Sequence, residues 1–434
     1  MSSSLRRRAL PLVVVMSGEV ATSEIQVAAR NHAAYEWIHH EHVGRSHGLT
    51  TSQLWAIRDT IHPPQLNVLS PLYSAALAFA DHSTVHVKVP QDVMSDLQQH
   101  LQPLASSVNL DVADLLVEAA AVVATYNMVS RFLVSLDIAG SSDDVVPWPV
   151  DSTEHTIELA PNVNIHAITL VTHPNAPWIA FSNSLLTDEG MWEWIVPHII
   201  APAVSPELAS SVSAAPCTIP LLAHDLAHLI SILIPSGKVK CVIGVSQGGA
   251  AALAFGALYP TLTEGVISCD TGPKTAPGNA EAWQERIALA KTKGIEELAS
   301  VTVDRWFPSP SKCGQGGSRY GRTETIKKMI ATTSIPAFEL GAGALMSYDL
   351  LKPLSEDGVD LLHSDVKTKV LLVAGELDGG GKVAAGMKGL REKWLEATPA
   401  AKVDWPRLPG AGHLPMIDET EKYWEVVSAF LKGL

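Results

Sequence analysis

A serine between glycines, Gly244-Val245-Ser246-Gln247-Gly248, stands where an apolar run, Val239–Val245, gives way to an alanine-rich stretch, Gln247–Leu258. A strand that turns directly into a helix there must bend sharply, and only residues without bulk fit beside the bend. Gly244 and Gly248 supply that freedom, and Gly249 and Ala250 let the helix approach closely. Such a turn exposes the Ser246 hydroxyl and points the helix N-terminus at a developing oxyanion. A tight turn with an idle serine fits the same pattern, so its partners decide the reading.

A nucleophilic serine needs a base, supplied late in a chain of this type. Gly410-Ala411-Gly412-His413-Leu414-Pro415 follows the last apolar strand pattern and sets His413 on a sharp loop that would line a core poorly. Asp378, in Val373-Ala374-Gly375-Glu376-Leu377-Asp378, follows a buried strand and is the expected acid; Asp270 and Glu376 are the alternatives. Two backbone N–H groups should hold the oxyanion, from Gln247 and from Leu185 in the loop Ser182-Asn183-Ser184-Leu185. The order Ser246, Asp378, His413 agrees with the strand–turn–helix reading. His224 and His228 have metal-ligand spacing, but no third ligand is near in sequence, so no metal is expected.

Apolar spacing of three to four residues predicts helices over 24–47, 51–60, 71–82, 92–104 and 110–134. The Gly/Ser/Asp/Pro-rich stretch 139–150 reads as a linker between domain 1–138 and domain 151–434. Beyond it, strands at His155–Leu159, Ile165–Thr172, Trp178–Ser182, Val239–Val245, Gly265–Cys269, Val370–Ala374 and Ala401–Leu408 alternate with helices at Met191–Val204, Ile219–Leu233, Gln247–Leu258, Val383–Glu396 and from Glu419. That alternation indicates a parallel sheet covered on both faces, with a helical cap inserted at about 275–350.

Lys and Arg total 31 against 45 Asp and Glu, a net charge of −14, and no basic stripe is present, so a nucleic-acid partner is not expected. The cysteines, Cys217, Cys241, Cys269 and Cys313, form no CxxC pair, which argues against a disulfide framework and fits a reducing compartment. No uninterrupted apolar run reaches the ~18 residues needed to span a bilayer. The start, Ser2–Met16, has three arginines before a short apolar stretch, and no good cleavage site follows, so the protein is read as cytoplasmic.

With these residues placed, 155–434 resembles the 3-oxoadipate enol-lactonases, a branch of the α/β-hydrolases. The resemblance rests on Phe181-Ser-Asn-Ser-Leu-Leu-Thr-Asp188 with Met191-Trp192, Ile243-Gly-Val-Ser-Gln-Gly-Gly-Ala250, Ala282-Trp-Gln-Glu-Arg-Ile287, Asp304-Arg-Trp-Phe307 and the loop ending at Pro415. It implies a cofactor-free enzyme that opens the enol-lactone of a dicarboxylic acid in aromatic-compound breakdown, with Trp283 and Arg286 near the substrate. The N-terminal part is similar to the carboxymuconolactone decarboxylase family through Tyr35-Glu-Trp-Ile-His-His40, Gly48-Leu-Thr50 and Ala124-Thr-Tyr-Asn-Met-Val-Ser-Arg-Phe132. That likeness implies an all-α domain that self-associates, with His40 and an upstream glutamate facing a second site.

No cysteine precedes residue 200, so thiol chemistry is excluded for that domain. Glu36 and His40, at i,i+4, could form an acid/base pair, although a surface pair is the preferred reading. The upstream glutamate should lie before Glu24. In the second domain a strand is expected between Met191–Val204 and Ile219–Leu233, yet Ser205–Pro216 is polar and small-residued. The sheet is therefore expected to lack that strand, which would leave ladder groups unpaired at roughly 1 kcal/mol or more each. Hydrolysis of another ester or lactone, and an impaired oligomeric scaffold, stay open as alternatives.

Overall fold

The computed structural model describes residues 17–61, 68–160, 163–172, 176–200, 205–211, 217–363 and 367–434. The segment Ser2–Met16, which was weighed as a targeting signal, lies outside them. The chain divides into two compact units, the first ending at Val150 and the second beginning at Asp151.

The first unit contains α1 (Ser17–Arg30), α2 (Ala34–Ser46), α3 (Thr51–Arg58), α4 (Pro71–His86), α5 (Gln91–Ser107) and α6 (Val112–Ser135). The apolar pattern read as one segment over 24–47 is two helices, broken at Asn31–Ala33 where His32 takes a φ of 54°. Starts follow local chemistry: Thr50 and Gln53 form a reciprocal capping box, Ser70 caps α4 ahead of Pro71, and Asp111 caps α6. Val27, Phe79, Leu97, Leu101 and Leu115 share one buried cluster, and Ile25, Trp37, Leu54 and Ile57 another. Each such side chain contributes about 1.5–3 kcal/mol on burial.

The stretch 139–150 is not a free linker. Trp148 stacks on Trp55 at 4.3 Å, Trp55 Nε1–H donates to the Pro149 carbonyl at 2.7 Å, and Arg58 donates to the Val146 carbonyl through Nε and Nη2. Its Pro/Gly-rich composition suggested freedom, but its tryptophan and carbonyl groups find partners on α3. Among the described residues one helix, α6, is long and apolar enough to cross a membrane by length and composition, although Asp114, Glu118 and Arg131 interrupt its apolar run. Its polar Asn127 and Ser130 are buried, and Asn127 bonds Thr84 of α4.

The second unit is built on one sheet. Its strands are β1 (Asp151–Ala160), β2 (Val163–Val171), β3 (Trp178–Ser182), β4 (Ser205–Ser211), β5 (Val239–Val245), β6 (Thr263–Cys269), β7 (Lys369–Gly375), β8 (Val403–Asp404) and β9 (Arg407–Leu408). Their order is β1-β2-β4-β3-β5-β6-β7-β8, with β9 also on β7. β2 is antiparallel to both neighbours, and the pairs from β4 onward are parallel.

The strand expected to be missing is present. β4 pairs with β2 from Ile165↔Ser211 to Thr169↔Glu207 and with β3 from Trp178↔Ser205 to Ser182↔Ala209. A polar, small-residued segment has no strand pattern of its own, but two waiting ladders satisfy its backbone groups. Of the helix expected over Met191–Val204, the described residues form a 3-10 turn, Glu189–Trp192, and the five-residue α7 (Val196–Ile200), and 201–204 lie outside the described residues. The single strand expected over Ala401–Leu408 is divided into β8 and β9 around Trp405-Pro406, because proline cannot donate to a ladder.

Helices α8 (Ile219–Leu233), α9 (Gln247–Leu258) and α14 (Lys382–Ala397) bury Ile230, Leu253, Phe255, Met387 and Leu390 with Val242 and Leu372 of the strands. Between β6 and β7 the cap comprises α10 (Asn279–Lys293), α11 (Ile295–Trp306), α12 (Arg322–Thr332) and α13 (Ile335–Ser347). α15 (Thr420–Gly433) closes the chain.

Candidate active site

Ser246 ends β5 in a sparsely populated conformation, φ 56° and ψ −117°. The turn admits no bulk: a Cβ on Gly244 would lie 2.1 Å from the Gly248 carbonyl oxygen, and one on Gly248 would lie 2.1 Å from that of Ser182. Ser246 N–H donates to the Cys269 carbonyl at 2.8 Å, so β6 holds the strained residue in place. The neighbouring loop is tied to the turn by Gly248 N–H on the Asn183 carbonyl at 3.1 Å, and Trp192 Nε1–H donates to Asn183 Oδ1 at 2.7 Å. Neither the Leu185 nor the Gln247 backbone N–H is committed to a protein acceptor among the described residues. The Gln247 side chain bonds the Gly341 carbonyl of the cap at 2.6 Å.

His413 and Asp378 are in contact, Nδ1 to Oδ2 at 2.8 Å, and both are buried. Each leaves its strand edge on a short loop, and the loops cross so closely that a Cβ on Gly375 would lie 2.0 Å from the Gly412 carbonyl oxygen. Ser246, Asp378 and His413 line one cavity of about 500 Å³, although no Ser246–His413 hydrogen bond is formed. Of the alternative acids, Glu376 faces Arg407 at 3.5 Å, and Asp270 lines the same cavity beside Asp378. His224, weighed for its spacing to His228, contacts the Tyr259 hydroxyl.

The cap fixes the histidine loop from the other side. His413 N–H donates to the Trp306 carbonyl at 2.8 Å, and the Trp306 ring stacks on the imidazole at 5.4 Å. Asp418, fully buried, takes Gly412 N–H on Oδ2 and Cys313 N–H on Oδ1, each at 2.8 Å. One carboxyl thus joins the histidine loop to the cap, a role with no signal in the sequence. Asp418→Ala is expected to strand two amide groups, at about 1–3 kcal/mol each. The variant should show a lowered Tm together with slower labelling by a fluorophosphonate; unchanged values for both would show that the link is dispensable.

Trp283 and Arg286 are on the cavity wall, with the Arg286 guanidinium 4.5 Å over the Trp283 ring. Sequence reading missed Arg305, which also lines the cavity and lies one position from Trp306 in a motif already noted. Burial, then the Arg286 charge, holds its pKa down at about 10. Arg305 retains accessible surface even though protein surrounds it, as a side chain facing an internal cavity does. Neither arginine is in a direct ion pair among the described residues, so two guanidinium groups face the cavity that Ser246 enters, with Asp378 acting on Arg305 only from a distance.

In the first unit Glu36 is not a surface residue. It is 2% exposed, its Oε2 accepts from Ser130, and its Oε1 has no donor among the described residues. Burial pushes its pKa up to about 7. His40 turns instead to Glu24, Nδ1 to Oε2 at 3.1 Å, with Tyr126 edge-on at 5.1 Å. The glutamate that His40 contacts is thus Glu24 and not a residue further upstream. A carboxyl whose folded pKa exceeds its unfolded value favours folding at low pH, and that contribution fades as pH rises from about 4.5 to about 7. Glu36→Gln should therefore stabilise the unit at pH 8 relative to pH 5, by up to about 3 kcal/mol. Amide exchange in α2 and α6 at both pH values reads this out, and a pH-independent effect of the substitution would contradict it.

No family model matches the chain. Two 3-oxoadipate enol-lactonases of Acinetobacter baylyi are similar to it. One is 25% identical over 263 residues, 59% of this chain and 89% of that protein; the other is 23% identical over 268 residues, 60% and 90%. Among solved structures, an enol-lactonase from Burkholderia xenovorans has a TM-score of 0.51 at 22% identity, covering 63% of this chain and 99% of that one. An α/β-hydrolase from a deep-sea metagenome has a TM-score of 0.52 at 17% identity, covering 64% and 98%. The chain therefore contains an α/β-hydrolase fold.

Proposed function

We propose that the second unit is a serine hydrolase that opens a carboxylate-bearing lactone, with 3-oxoadipate enol-lactone as the substrate suggested by the A. baylyi relatives. The observation that carries this reading is the 2.8 Å His413–Asp378 contact on the wall of the cavity that Ser246 enters. Ser246 Oγ attacks the lactone carbonyl while His413 Nε2 takes its proton, the Asp378 carboxylate stabilises the imidazolium, and the Leu185 and Gln247 amides receive the oxyanion. The proton then passes to the departing enolate, and water, activated by His413, releases the acyl group. Substrate closes the Ser246–His413 approach, since such hydrogen bonds are often long in free enzymes.

Arg286 and Arg305 support a substrate with a remote carboxylate, because an unpaired guanidinium beside a cavity is a ready bidentate partner. The test is hydrolysis by the full chain of an enol-lactone acid, its neutral methyl ester and simple aryl esters. Arg305→Met is expected to raise KM for the acid alone, on the order of tenfold to a hundredfold. Turnover of aryl esters only would remove the substrate assignment.

A second reading concerns the first unit: Glu24, His40 and the near-neutral Glu36 support proton transfer, with decarboxylation of 4-carboxymuconolactone as the candidate reaction. Carbon dioxide release by the Ser246→Ala chain, lost in Ser246→Ala/His40→Ala, would support it; no release from the first would end it.

A further inference from the structure

Asp270 has no part in the contacts described for Ser246 or His413, yet its placement is tightly determined. It is the first residue past β6, at a φ of 46°, a conformation that costs a non-glycine residue of order 1–3 kcal/mol. Its N–H donates to the Val373 carbonyl of β7 at 2.9 Å, and its Oδ1 accepts Gly375 N–H at 2.8 Å. The side chain is 2% exposed. Its Oδ2 reaches no N–H or hydroxyl donor among the described residues, and the group it meets is the Asp378 carboxyl.

Two carboxylates cannot share a buried contact when both are ionised, because the repulsion is barely screened there and neither oxygen has a hydrogen to offer. One proton must lie between them. The surroundings decide where it resides. Asp378 has the His413 imidazole at 2.8 Å and the Arg305 cation acting on it, whereas Asp270 has neither. The other titratable groups that act on Asp270 are the Cys269 thiol and the Tyr423 hydroxyl, both buried and neutral, which provide no counter-charge.

We propose that Asp270 is a positioning residue that carries a proton at neutral pH and donates it to Asp378, so that the Asp378 carboxylate is held between a carboxylic O–H and the His413 ring. Burial, and then the Asp378 charge, drive the Asp270 pKa in the direction this needs. The donated hydrogen bond takes up part of the Asp378 charge that would otherwise act on the His413 ring alone. This consequence for His413 rests on the serine-hydrolase reading, whereas the location of the proton does not.

Two measurements on the full-length protein separate those levels. The first is the infrared difference spectrum at pH 7 between wild type and Asp270→Asn. A protonated-carboxyl band present in wild type and lost in the variant is expected, and its absence from wild type overturns the proposal whatever the enzyme hydrolyses. The second is the pH profile of fluorophosphonate labelling, which needs no knowledge of the substrate. Asp270→Asn keeps a neutral donor and is expected to label within about threefold of wild type, with the same profile. Asp270→Ala removes the donor and should move the acid limb up by about one pH unit. If Asp270→Asn instead loses labelling as severely as Asp378→Asn, Asp270 acts as an anion and the proposal fails. If wild type does not label at all, the hydrolase reading falls, and the infrared band alone decides whether the carboxyl pair holds a proton.

Discussion

Ser246→Ala is expected to lower kcat for a carboxylate-bearing enol-lactone by roughly a millionfold. The loss is so large because, although Ser184, Thr271 and Tyr348 also line the cavity, only Ser246 sits on the turn between β5 and α9. The remaining parts could still bind and polarise the lactone, which leaves a residual acceleration of about 10³–10⁴ over water. Fold and Tm should be nearly unchanged, since the Ser246 side chain makes no hydrogen bond to His413 that alanine would remove. Progress curves for wild type and variant, with fluorophosphonate labelling of both, give the result. A variant that retains more than about a hundredth of wild-type activity would assign the attack to another group.

Asp378→Asn is expected to reduce kcat by about 10⁴ with little change in KM. An asparagine could present its N–H2 to His413 Nδ1 and stabilise the tautomer that has its proton on Nε2, where a base needs a lone pair. The same substitution tests Asp270, the other carboxyl at this depth in the sheet. Because Asp270 meets Asp378 and not His413, it cannot take over the orienting role without a shift of the β6–cap connection. A loss of less than about tenfold in Asp378→Asn would indicate that such a shift occurs.

The two hydrolase substitutions share a structural premise that differs from the sequence expectation. With a strand missing between β2 and β3, the loop carrying Leu185 would have had no fixed neighbour on one side. The presence of β4 makes the sheet continuous from β1 to β8. The loop that follows β3 is therefore anchored by ladders on both sides of that strand, with β4 and with β5. This is the support that a preorganised pair of amide donors requires.

Some features of the protein are set by short stretches of sequence, because local sterics and local hydrogen bonds determine them. The Ser246 turn is one, since a side chain on Gly244 would collide with the Gly248 backbone four residues on, although Gly248 itself is required by the backbone of Ser182, which only folding brings beside it. The helices Ile219–Leu233 and Gln247–Leu258 and the strand Val239–Val245 are others, because length, composition and the flanking turn residues separate helix from strand in these apolar runs. Other features were decided only when distant segments met. Ser205–Ser211 is a strand because two neighbouring ladders take up its backbone groups, which no reading of a mostly polar and small-residued stretch could reveal. Trp148 belongs to the helical unit because Trp55 faces it, Glu36 is buried because Ser130 lies 94 positions away to receive it, and Asp418 matters because Cys313 and Gly412 both present amides to it. Periodicity and steric exclusion act within a few residues of the chain, whereas burial, charge pairing and ladder completion depend on what tertiary folding brings alongside.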